Sequence, residues 1–146
     1  MTDPGPPDGE SATPAGATSD GAVDDDAPGP LAALRALAAA EVALTDELDH
    51  LELYTMGGLL TLLWHGPAQL TDVVLMVGGA MGGLLGPAGN AYHELGSAWV
   101  ADGIGTVRVG YRQPGELDAC VHDVLAAAEL TARRGARRFV VVGHSF

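Results

Sequence analysis

The spacing of apolar residues changes period along the chain, and each change marks a predicted element. After Pro30, the residues Leu31, Leu34, Leu37 and Val42 recur near helical spacing within LAALRALAAAEVALTDELDH. Segment 31–50 is therefore predicted as an amphipathic helix reaching about Leu48, opened by a proline whose missing N–H is tolerated in a first turn. LELYT (51–55) and LLTLLWH (59–65) lie on either side of Gly57-Gly58. They predict two strands joined by a tight turn, because glycine accepts the positive φ such turns need. VVLMVGG (73–79) is a continuous apolar run, as expected of a strand covered on both faces.

From there, helical and extended patterns alternate. Asn90 can cap a helix in AYHELGSAWVADG, where Leu95 and Trp99 are four apart and Asp102-Gly103 supplies a stop. IGTVRVGYR (104–112) predicts a strand. Glu116 to Arg134 predicts a helix with an apolar stripe of Leu117, Val121, Val124, Ala128 and Ala132, acids at its start, arginines at its end and Gly135 beyond. ARRFVVV (136–142) predicts a further buried strand. Strands alternating with crossover helices imply an α/β fold with a mostly parallel sheet, flanking helices and an antiparallel N-terminal hairpin.

Composition modifies this picture mainly at the N-terminus. Residues 1–30 are almost all Pro, Gly, Ser, Thr, Ala and Asp, with seven acids and no base, and are expected to be a disordered acidic tail. The tail reads as a solvating extension, with an acidic interaction arm as the functional alternative. The net charge of −12 comes largely from it; the remainder has twelve acids against seven arginines. The charge argues against nucleic-acid partners. The tail has neither the basic start nor the apolar stretch of a secretory signal, and a single cysteine cannot form an internal disulfide, so a cytoplasmic location is expected. No apolar run is long enough to cross a membrane as a helix. Arginine used to the exclusion of lysine suggests GC-rich, bacterial coding.

In open α/β sheets, ligands sit beyond the carboxyl ends of the strands. Two segments there stand out: VGGAMGGLLGPAGN after 73–79, and GHSF after 139–142. The first lacks the glycine register of a dinucleotide fingerprint, and Gly83 is followed by Leu84 where a phosphate-binding loop needs lysine. The second places Gly143 and Ser145 at the first and third positions of a GxSxG nucleophile elbow, directly after a strand. An oxyanion hole would then use the Phe146 N–H and one from the loop after the third strand, with Ala80 the first choice and Met81 the next. His50, His65, His93, His122 and His144 are each expected in structural or surface roles, with His65-Gly66 a turn. Cys120 is expected as a buried thiol, and Arg108 and Arg112 as solvated surface arginines, Arg112 being the one placed to meet an anionic substrate.

On the strength of GHS and the apolar strand that precedes it, residues 51–146 resemble the amino-terminal half of an α/β-hydrolase-fold protein of the dienelactone hydrolase and esterase-like group, with GGAMGG in the place of the oxyanion loop. The loop departs from the commoner His-Gly pattern. The resemblance implies a serine hydrolase acting on a small-molecule ester or related acyl bond, with Ser145 as nucleophile and no cofactor or metal. In that fold the acid and then the histidine follow the serine in the chain. This chain alone is accordingly expected to be inactive, and strand 139–142 to form a bare apolar edge. Alternatives are a truncated, non-catalytic binding module, or the same fold used for acyl transfer, C–C lysis or cofactor-free halide oxidation.

Overall fold

A computed structural model describes residues 27–145. Most of the expected acidic tail, and Phe146, lie outside the described residues. The elements are α1 (Pro30–Ala33), β1 (Ala38–Thr45), β2 (Leu48–Thr55), β3 (Gly58–His65), β4 (Asp72–Val77), α2 (Ala91–Val100), β5 (Gly105–Gly110), α3 (Leu117–Arg133) and β6 (Arg138–Gly143). They form a mixed six-stranded sheet in the order β1-β2-β3-β5-β4-β6. Strands β1, β2, β3 and β5 are joined by antiparallel pairings, whereas β4 lies between β5 and β6 and is parallel to both. Thus β2, β4, β5 and β6 run one way and β1 and β3 the other.

The helix expected over 31–50 is replaced by one helical turn and a strand. Pro30 does open a helix, but it ends at Ala33, and the chain reverses through Arg35, whose φ is +49°. Ala38–Thr45 then pairs along β2 from Ala38↔Tyr54 to Thr45↔Leu48. Alanine favours helix only weakly over other residues, and a ladder of inter-strand hydrogen bonds outweighs that preference. Val42 and Leu44, two apart on one face, are the strand signal that the alanines conceal. The short α1 is held by α3: the Leu31 N–H donates to Glu129 Oε2 (2.7 Å), and His122 Nε2–H donates to the Pro30 carbonyl (2.8 Å).

The two crossover helices lie on opposite faces. The α3 face carries the larger core, with Leu60, Leu62, Trp64, Leu75, Val107 and Val109 packed against Cys120, Ala126 and Ala127. On the α2 face, Val74 and Met76 pack with Tyr92, Trp99 and Ile104. Helix α3 has the expected bounds, but its buried face is rotated from the predicted stripe: Cys120, Asp123, Ala127 and Thr131 point inward, while Leu117, Val121 and Leu125 are exposed. Small residues at 126 and 127 let the helix approach the sheet, and Asp123 has a partner there. The pattern of β6 reads as a buried strand, yet all six of its residues are exposed: with β4 its only neighbour among the described residues, it forms the bare apolar edge expected of 139–142 in this chain.

Candidate active site

The parallel register between β4 and β6 determines what meets at their carboxyl ends. The ladder closes with Val77 beside Gly143, so the chain continues as Gly78-Gly79 on one strand and His144-Ser145 on the other, side by side. Ser145 has φ +52°, in the left-handed region that non-glycine residues rarely occupy. It lies two residues beyond the end of β6, on the turn that leaves the parallel strand. Gly79 faces it so closely that a Cβ there would lie 1.9 Å from the Ser145 carbonyl oxygen. No side chain fits, which is why the loop begins Gly-Gly. A depression of about 230 Å³ is lined by Gly79, Ala80, Met81, Gly82, His144 and Ser145.

The Ala80 N–H donates to the Ser145 carbonyl at 3.1 Å, so loop and elbow are bonded directly to each other. The loop itself is held by two tyrosines, one from each face of the sheet. Tyr111 donates its hydroxyl to the Gly78 carbonyl (3.1 Å), and Tyr92 donates to the Val77 carbonyl (2.8 Å). His144 Nδ1 lies 3.0 Å from the same Tyr92 oxygen, and the two rings meet edge to face with centroids 5.6 Å apart. With the Tyr92 proton on the Val77 carbonyl, this contact is a hydrogen bond when His144 carries its proton on Nδ1. Burial raises the pKa of both tyrosines and keeps these hydroxyls as donors. Neither tyrosine was singled out in the sequence; the signal was only their positions at a helix start and a strand end.

The histidines are engaged away from the Ser145 hydroxyl. His50 pairs with Glu52 (3.4 Å), His122 binds the Pro30 carbonyl and His144 binds Tyr92. His65 is fully buried beneath α2 against His93, with Ser97 Oγ 3.5 Å from its Nδ1. Burial, then the nearby Arg108 and His93, push its pKa down to about 4. Cys120 is buried, and burial raises its thiol pKa.

The arginines differ from expectation. Arg108 is only 4% exposed, donating to the Leu84 carbonyl (3.3 Å). Arg112 pairs with the buried Asp123 through Nε (2.5 Å) and through its own backbone N–H (2.8 Å). This pair ties the end of β5 to the middle of α3. Neither arginine is a solvated surface group, because each lies at a helix–sheet junction that only the folded packing creates. Asn90 occupies the N-cap position of α2, but its side chain makes no capping bond; Ala91 N–H bonds the Pro87 carbonyl instead.

The six-stranded mixed sheet with helices on both faces defines the chain as an α/β protein. Among solved structures it is similar in fold to a cold-adapted esterase from an Arctic intertidal metagenomic library, with a TM-score of 0.50 and 17% identity over 72% of this chain. The match covers 53% of that esterase, so the chain spans about half its length. Structures of esterase Est22 also match, at 19% identity and a TM-score of 0.45, over 73% of this chain and 34% of theirs. No family model and no curated protein matches. Among the described residues, no helix is long and apolar enough to cross a membrane.

Proposed function

We propose that this chain is the amino-terminal part of a serine hydrolase of the α/β-hydrolase fold, in the dienelactone hydrolase and esterase-like group, cleaving an ester or related acyl bond of a small molecule. The observation that carries the proposal is Ser145 at φ +52°, two residues beyond the end of β6, with the glycine loop packed against it. In the proposed reaction the Ser145 hydroxyl attacks the acyl carbon, its proton passes to a histidine base, and the carbonyl electrons move onto oxygen. The tetrahedral oxyanion then collapses, expelling the alcohol, which takes that proton; water releases the acyl group by the same route.

The base and its orienting acid are proposed to come from beyond Phe146, since the chain's own histidines are held elsewhere. The oxyanion donors proposed are the N–H groups of Phe146 and Ala80, with Met81 the alternative. For Ala80 to serve, its N–H must leave the Ser145 carbonyl. A helix continuing from the elbow would take that carbonyl into its first turn and release the N–H. Each such donor contributes about 3 kcal/mol in comparable acyl-transfer sites.

The test uses the full-length protein containing this chain, with an activated ester as substrate and a fluorophosphonate as a serine-reactive label. Turnover lost in Ser145→Ala, with label located on Ser145 by mass spectrometry, is the expected result. Undiminished turnover in that variant, or label on another residue, would overturn the proposal. The occupied Ala80 N–H favours a second reading, a non-catalytic binding module, which a full-length protein inert toward both reagents would support.

A further inference from the structure

The geometry points to Tyr92 as the positioning residue that sets the glycine loop against the Ser145 elbow. This inference rests on Ser145 being the nucleophile. Tyr92 belongs to the first turn of α2 and is almost completely buried, so it does not touch a substrate in the open depression. Yet it contacts both ends of the glycine loop and the residue before the serine.

Its hydroxyl donates to Val77, the last residue before the loop, and its backbone N–H donates to the Leu85 carbonyl (3.0 Å) farther along the loop. Its ring fills the space beside Gly86, where a Cβ would come within 2.5 Å of ring carbons. The same hydroxyl lies within hydrogen-bond distance (3.0 Å) of Nδ1 of His144, the residue immediately before Ser145. One side chain thus spans the start of the loop, its far side and the elbow. The hydroxyl holds two of these pieces at once: without it, the Val77 carbonyl remains in the sheet, but His144 and the Ser145 backbone lose their link to β4 through the α2 face. Misplacing reacting groups by about 1 Å can lower a rate on the order of a hundredfold, even when the change lies away from the chemistry.

Tyr92→Phe keeps the ring and removes only the hydroxyl, so packing against Gly86 survives. In the full-length protein, kcat for an activated ester is expected to fall about tenfold or more, with KM within about twofold, since ground-state binding does not use the hydroxyl. His144→Ala cuts the same link from the other end. It is expected to give a similar loss, and the double variant one no larger than either. A second readout is independent of turnover: ¹⁵N NMR of His144 is expected to show the proton on Nδ1 in the wild type, with that preference lost in Tyr92→Phe. Unchanged kcat in a folded Tyr92→Phe, while Ser145→Ala is inactive, would overturn the assignment. So would a wild-type His144 protonated on Nε2 alone. If Ser145→Ala retains full activity, the nucleophile reading fails instead, and the NMR result still decides whether Tyr92 holds His144.

Discussion

At the scale of single residues, the site depends on one strained backbone and one missing side chain. The left-handed conformation costs a residue with a Cβ about 1–2 kcal/mol, whereas glycine adopts it freely but loses more entropy on folding. Ser145→Gly is therefore expected to be more stable than Ser145→Ala by ~0.5–1 kcal/mol in urea unfolding. Equal midpoints would mean that Ser145 is not held at positive φ. Gly79 presents the opposite case: its requirement is space, because the Ser145 carbonyl occupies the place of a Cβ. Gly79→Ala should cost roughly 1–3 kcal/mol, as overpacking does, and should slow fluorophosphonate labelling of Ser145 in the full-length protein. An unchanged melting temperature would count against this close approach. The GHS motif and the glycine loop were both readable in the sequence. Their contact was not, because it depends on the register of two strands 66 residues apart, as in the pairing Val77↔Gly143.

At the scale of elements, the crossover helices are attached through polar groups that hydrophobic periodicity does not reveal. Asp123 interrupts the apolar face of α3 and reads as a solvent-side acid, yet it is buried on Arg112. Removing one partner of a buried pair leaves the other charge uncompensated, so Asp123→Ala is expected to cost about 3–5 kcal/mol by chemical denaturation. A loss below about 1 kcal/mol would show that Arg112 reaches water or another partner. Beneath α2, His65 is held neutral beside Arg108. Its folded pKa of about 4 lies below the usual 6.5, so the unfolded chain binds the extra proton between these values. Stability should therefore be fully present above about pH 6.5 and fall as the pH drops toward 4, by up to about 3 kcal/mol from this group. His65→Gln should flatten that part of the pH–stability curve; an unaltered slope would rule out His65 as its source. Strand β1 shows the opposite limit of legibility, since its alanines favour helix locally while its pairing with β2 sets the outcome.

At the scale of the whole molecule, the described chain leaves the apolar strand β6 uncovered. Val140 and Val141 point to opposite faces of the sheet and are 58% and 56% exposed. On α3, Leu117, Val121 and Leu125 are exposed as well. A long, apolar, unpaired edge is a template for strand addition, so the 146-residue chain is expected to self-associate with rising concentration. Val141→Lys should shift it toward monomer in sedimentation velocity, because a charge at an edge opposes pairing. A wild-type chain that stays monomeric across the concentration range would show that β6 is not sticky. The same surface is where a larger sheet would continue if the chain forms half of an esterase-like fold.

By itself the sequence determined the α/β class, the β2–β3 hairpin, the three later strands, both crossover helices and the placement of GHS at a strand end. These follow from local period and punctuation, which act over a few residues. Tertiary structure alone decided that residues 38–45 extend, that α3 turns Asp123 inward, and that Tyr92 joins the loop to the elbow. Each of those depends on a partner distant in the chain, through a ladder bond, an ion pair or a shared hydroxyl, and no local pattern encodes the distance between such groups.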